Sequence, residues 1–253
     1  MSNFFKALFH KLAAEQSTLI RFSAKPISSN YLDGEVLEVQ PSAELVKFSM
    51  KIAEAKSSKT MALNQNLKMR TEPERVGNLL RGILGETAVQ VLLSRYLETD
   101  LNDVLRFDLE RATFDYVSTE YDLSYRSRRI EVRTSNNNFD SIETYVNSSD
   151  KGIICRYTNQ TKITEAESDY YFAVVYDYPG VAGAVPAIKR CQFADDVISG
   201  KLKMYLLAGA NSKEKQQHAK ISTLGQTNTK YELIGFSKCR PLRKVLDEMK
   251  GLA

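Results

Sequence analysis

Asp122 and Glu131 are the residues of this chain whose type and spacing best suit chemistry. They stand on either side of the polar stretch Arg126-Ser127-Arg128-Arg129, a tight turn between two runs of β character, Thr113 to Tyr125 and Ile130 to Ser135. Such a turn brings both carboxylates to one end of a hairpin. Clustered carboxylates repel unless something positive lies between them. Magnesium is the usual solution, a small hard cation that takes oxygen ligands and keeps waters that can be deprotonated or delivered. Alternation sets Glu131 and Arg133 on one strand face and leaves Ile130, Val132 and Thr134 on the other, available for burial. The same residues also fit a plainer role, as cross-strand ion pairs Asp122–Arg133 or Glu131–Arg129 on a solvated sheet face.

These residues need a scaffold, and the flanking patterns supply one. From Glu74 to Leu97, apolar residues hold a helical period over several turns, interrupted by Gly82 and Gly85, each costing about 1 kcal/mol relative to alanine. A close packing contact or a kink is the expected compensation. Gly152–Tyr157 reads as a strand, and Tyr170–Tyr176 as a strand buried on both faces, closed by a turn at Asp177-Tyr178-Pro179-Gly180. Ser42, after Pro41, is the expected N-cap of a helix over 42–56. An amphipathic helix is expected over 3–14, a loop over 57–73, and a weak strand over 185–188. A helix follows at 193–199, then a polar stretch at 208–230, a strand at 231–236 and a closing helix at 241–249.

The pattern Tyr121-Asp122-Leu123, then Arg129-Ile130-Glu131-Val132-Arg133-Thr134-Ser135, resembles the signature of the PD-(D/E)xK nuclease superfamily: an acid, a hairpin, an acid, a spacer and a lysine. The resemblance implies an α/β fold with a restriction-endonuclease-like core. A central mixed β-sheet is flanked by helices, and an N-terminal helical segment precedes it. It implies magnesium held by Asp122 and Glu131, with Glu86 of Gly82-Ile83-Leu84-Gly85-Glu86 as a further acid from the preceding helix. The expected organisation is a single domain, 1–253. Residues 1–73 form a helical and loop appendage, 74–180 the nuclease-like core, and 181–253 a basic region packed on that core. The departure is Arg133 where the family has lysine. A guanidinium stabilises developing phosphate charge but does not accept a proton, so Arg133 serves the electrostatic part of the role, and Lys151 is a candidate stand-in.

The implied activity is magnesium-dependent hydrolysis of DNA phosphodiester bonds, in the manner of a type II restriction enzyme, by a cytoplasmic homodimer acting on double-stranded DNA. The alternatives are a nuclease fold that binds DNA without cutting it, and a repair, recombination or RNA-directed nuclease. Net charge is +4 and the isoelectric point about 8.8, a mild bias compatible with a polyanionic partner. The basic excess gathers from residue 201 onward: eleven lysines and arginines against Glu214, Glu232, Asp247 and Glu248. It fits a phosphate-binding face or a solvated basic tail equally. Loops 57–73, 136–150 and 208–230 are the candidate base-reading segments. With only His10 and His218, neither in a metal or nucleophile motif, zinc and histidine-based chemistry is disfavoured. Cys155, Cys191 and Cys239 form no CxxC and read as reduced packing residues. No apolar run approaches the roughly 20 residues that cross a bilayer. Neither a phosphate loop nor a dinucleotide fingerprint is present.

Overall fold

A computed structural model describes residues 19–29, 31–58, 70–107, 121–159, 166–183, 192–223 and 229–251. Strands β1 (Ile20–Pro26) and β2 (Glu35–Pro41) precede helices α1 (Ala43–Ser57) and α2 (Glu72–Tyr96). Next come β3 (Val104–Arg106), β4 (Leu123–Tyr125), β5 (Arg128–Asn136), α3 (Ile142–Asn147), β6 (Gly152–Asn159) and β7 (Tyr170–Asp177). The C-terminal part supplies α4 (Phe193–Ile198), β8 (Lys203–Asn211), α5 (Ser212–His218), β9 (Lys220–Ser222), β10 (Thr229–Gly235), β11 (Arg240–Pro241) and α6 (Leu242–Gly251).

Eight of these strands form one mixed sheet in the order β1-β2-β8-β7-β5-β4-β3, with β11 pairing β8. Strands β3, β4 and β5 make an antiparallel meander. β5 and β7 run parallel, which requires the crossover that α3 and β6 occupy. Every residue of β7 is buried, as its unbroken apolar run implies, because β7 lies between β5 and β8 with a core on each face. On one face, α1, α2 and α6 bury Leu45, Leu80, Leu84 and Leu246 against Ile130, Val132 and Phe172. On the other, α3 and the three-stranded sheet β6-β10-β9 bury Tyr145, Ile153 and Ile234 against Tyr171, Val175 and Leu207. The chain is thus an α/β protein with a mixed central sheet flanked by helices. Among the described residues no helix is long and apolar enough to cross a membrane.

The helices start where their side chains satisfy the first free N–H groups. Ser42 Oγ accepts from Leu45 N–H at 3.2 Å. Thr71 and Glu74 form a reciprocal capping box at the head of α2. Gly85 is the close contact expected of an α2 glycine: a Cβ there would lie 2.5 Å from Thr134 Cγ2 on β5.

Three expectations are corrected. Residues 20–41 are not a helical or loop appendage: β1 and β2 extend the central sheet through β2–β8 pairing. Their short, mixed runs sit toward an edge, where polar residues are tolerated and alternation is weak. The polar stretch 208–230 is not a free loop either. Ala208 and Ala210 are fully buried in β8, and Lys215 is buried in α5. Small residues such as Ala208-Gly209-Ala210 carry no β signal. Likewise 136–150 contains α3, whose Ile142, Tyr145 and Val146 pack into the core. The expected helix over 3–14, the strand over 185–188, most of 57–73 and residues 113–120 lie outside the described residues.

Candidate active site

The β4–β5 hairpin positions the two acids. Its register, Leu123↔Ile130, Ser124↔Arg129 and Tyr125↔Arg128, leaves Arg126-Ser127 as a two-residue turn. Both turn residues have positive φ, 47° and 62°, the geometry of the mirror-image turns whose twist matches paired strands. Neither is glycine, so both sit in a region that L side chains enter at a cost. Ser127→Gly is therefore expected to stabilise the fold by up to about 1 kcal/mol, a rise of about 2–4 °C in melting temperature by differential scanning fluorimetry.

Just before β4, Asp122 is held alongside β5. Its N–H donates to the Ile130 carbonyl at 3.2 Å, and its Oδ2 accepts from Val132 N–H at 2.8 Å. Glu131 stands on β5 next to this anchor and is nearly buried, its side chain 8% exposed. Its Oε1 lies 3.0 Å from Arg133 Nη2, so the ion pair runs along β5 between residues two apart on one strand. The Arg133 guanidinium lies 5.2 Å from the centre of the Tyr157 ring on β6. Alternation on β5 follows the sequence: Ile130, Val132 and Thr134 face α2, while Glu131 and Arg133 face the side of Tyr171 and the small sheet.

Glu86 approaches from the α2 face. Its Oε2 pairs with Arg106 Nη2 at 2.7 Å, and the Arg106 side chain is only 1% exposed. Arg106 also donates to Thr87 Oγ1 and, at 3.4 Å, to the Ile83 carbonyl, tying β3 to α2. The structure thus brings Asp122 and Glu131 together on one hairpin, while Glu86 is engaged from the opposite face by Arg106. Among the described residues, no group of three or more Asp, Glu, His or Cys is placed to hold a metal ion. Magnesium takes one or two carboxylates from a protein and completes its shell with water, and Asp122 and Glu131 on this hairpin would be such donors. Lys151, the candidate stand-in, lies over the Phe139 ring at 5.6 Å and 3.5 Å from Asp150.

Beside Arg133, on the same face, lies a charge network that sequence reading missed. Lys215, 6% exposed, meets Glu167 at 2.6 Å and Glu232 at 2.9 Å, and Glu232 also pairs with Arg156. Burial disfavours the Lys215 ammonium, but the two carboxylates outweigh that and raise its pKa. Burial likewise opposes the Glu232 charge, yet Lys215 and Arg156 hold its pKa below the ordinary range. Because the Glu232 pKa is depressed in the folded state, its contribution is complete above about pH 4.3 and is lost as pH falls through the folded value. Urea titrations at pH 5 and pH 3 are expected to show a smaller acid loss of stability in Glu232→Gln than in the wild type. The only sequence signal was a glutamate and an arginine in two alternating strands, and Lys215 sat in a run indistinguishable from surface.

Nucleophilic cysteine chemistry finds no support in the two described thiols. Burial pushes Cys155 up to about 12 and Cys239 higher, so both stay protonated. The C-terminal basic excess is partly internal as well. Lys203, Lys244 and Lys250 pair with Glu38, Asp33 and Glu98, and Arg240 with Glu214 and Glu248.

No family model matches the chain, and no solved structure matches it. A curated relative, the uncharacterized protein MJECS01 of Methanocaldococcus jannaschii, is 23% identical over 211 residues, covering 73% of this chain and 72% of its own.

Proposed function

We propose that this chain is a magnesium-dependent endonuclease with a restriction-endonuclease-like, PD-(D/E)xK core. The observation that carries the reading is the hairpin that sets Asp122, just before β4, alongside Glu131 on β5, with Asp122 fixed by the Val132 N–H. The order of elements supports it: helix α2 bearing Glu86, the antiparallel meander β3-β4-β5, a crossover, then β7 parallel to β5. That is the helix, strands and crossover order that the signature implies.

Asp122 and Glu131 would hold the cation. Magnesium bound there supplies Lewis-acid polarisation of a phosphoryl oxygen and a more acidic water for in-line attack. The Val132 N–H, donating to Oδ2, fixes the direction of the Asp122 carboxylate. Arg133, always protonated, holds Glu131 in place and offers a positive charge to a phosphate at the strand face. The near-burial of Glu131 removes competing water and strengthens both interactions. In this reading the enzyme acts in the cytoplasm as a homodimer on double-stranded DNA.

A second reading, a nuclease fold that binds DNA without cutting it, is favoured by one observation: the position where the signature has lysine carries a guanidinium already paired with Glu131. A panel of linear duplex, branched DNA and RNA, each incubated with magnesium or with EDTA, separates the readings. Magnesium-dependent cutting of the duplex supports a restriction-like enzyme, and cutting confined to branched DNA or RNA reassigns the substrate. A gel shift without cutting supports the second reading.

A further inference from the structure

A polar cavity of about 480 Å³ lies where β5 and β7 begin and β8 ends, and none of Glu86, Asp122, Glu131 and Arg133 lines it. Its walls come from the first residues of β5 and β7, from α5, from β11 and from α6, so the tertiary fold builds it rather than one helix end. A volume of this order holds a small organic molecule. Because the lining is polar, hydrogen bonds and charge decide which molecule that is.

The carboxylates of the cavity are already engaged. Glu248 accepts from the Tyr170 hydroxyl at 3.0 Å, from Asn211 Nδ2 at 3.1 and 3.2 Å, and from Arg240 Nη1 at 2.6 Å. Glu214 pairs with Arg240 Nε at 2.5 Å and accepts from the Asn211 N–H at 2.6 Å. Asp169 takes Arg128 Nη1 at 3.2 Å and the Arg129 N–H at 2.9 Å. The donors, by contrast, are not used up. Among the described residues the Lys213 ammonium, the Ser212 hydroxyl and the Gln217 amide have no partner, and Arg128 spends only Nη1. Arg240 adds a second sign, for its Nη2 is buried and makes no hydrogen bond. A buried donor without an acceptor is costly, and an oxygen brought into the cavity that Arg240 lines would supply one. Arg128, Lys213 and Arg240 balance the three carboxylates in formal charge, so the surplus is one of hydrogen-bond donors.

We propose that this cavity binds a phosphate monoester, its phosphate held by Arg128, Ser212 and Lys213 and its organic part lying toward Gln217. A carboxylate offers two oxygens and a phosphate monoester three, and the unused donors of a guanidinium, an ammonium and a hydroxyl match the larger set. The cavity is far larger than the anion alone, so an organic part of about mononucleotide size completes the fit. The ester belongs either to a small molecule or to the phosphorylated end of a nucleic-acid strand, which present the same group. The site stands independently of the nuclease reading.

The test is isothermal titration of the full chain in EDTA with deoxyadenosine monophosphate, deoxyadenosine, inorganic phosphate and a single strand bearing a terminal phosphate. Wild type, Lys213→Gln, Arg128→Gln/Lys213→Gln and Lys238→Gln are compared, with thermal melts confirming that each is folded. Lys213 and Lys238 are exposed, and Arg128 meets Asp169 from a side chain 52% exposed, so none of these changes is expected to unfold the chain. The monophosphate is expected to bind and deoxyadenosine not to. Lys213→Gln should weaken binding about tenfold and the double variant about a hundredfold, while Lys238→Gln leaves it unchanged. Binding of the phosphorylated strand alone, with the same losses in the variants, keeps the site and assigns the ester to a strand end. No binding of any phosphate-bearing probe overturns the proposal. Equal binding of deoxyadenosine and its monophosphate, or binding untouched by the double variant, overturns it as well.

Discussion

Arg106→Met is expected to cost about 3–5 kcal/mol of folding stability, a large share of the roughly 5–15 kcal/mol that holds an ordinary domain. The side chain is 1% exposed, and its guanidinium serves Glu86, Thr87 and the Ile83 carbonyl at once. Removing it takes from the Glu86 carboxylate, only 16% exposed, a cation that offsets its desolvation. The link between β3 and α2 is lost at the same time. Urea unfolding at pH 7 measures the loss directly, and the melting temperature should fall by roughly 10 °C. Combining Arg106→Met with Glu86→Gln should recover much of that stability, because the stranded charge is gone. A double variant as unstable as the sum of the two single ones would show that packing, not the ion pair, is what Arg106 supplies.

The same pair shows where sequence was a sufficient guide and where it was not. Periodic and alternating elements were legible. The long helix now seen as α2, the apolar β7 and the division of β5 into a buried Ile130-Val132 face and a charged Glu131-Arg133 face all follow from local pattern. Ser42 as an N-cap was legible too, because capping depends on residues three apart. Glu86 was singled out as the further acid that the resemblance implies, but its partner Arg106 stands twenty residues away on a three-residue strand. No short-range pattern marks such a residue. For the same reason Lys215 looked like surface, although it is buried between carboxylates contributed by two distant segments. The strands β1, β2 and β8 escaped because their alternation is weak or their residues small, and tertiary pairing decides such segments.

The second large effect concerns chemistry. Glu131→Gln and Asp122→Asn are each expected to reduce magnesium-dependent cleavage about a thousandfold, the loss that removing several kcal/mol of charge stabilisation produces. Asp122→Asn also weakens the bond from Val132 N–H, so a modest loss of stability should accompany it. Glu131→Gln is the cleaner test, because its amide is nearly isosteric and its partner is Arg133 on the same strand. Arg133→Lys should retain cleavage or raise it, since a lysine keeps the positive charge and can give up a proton. Arg133→Gln should lower cleavage by removing the charge.

The most direct measurement is incubation of supercoiled plasmid and phage DNA with wild type and with folded Glu131→Gln, at equal concentration, in magnesium and in EDTA. The expected result is cutting by the wild type in magnesium alone and none by Glu131→Gln. Intact DNA in every wild-type incubation, or equal cutting by the two proteins, would contradict the assignment of Asp122 and Glu131 as a hydrolytic centre.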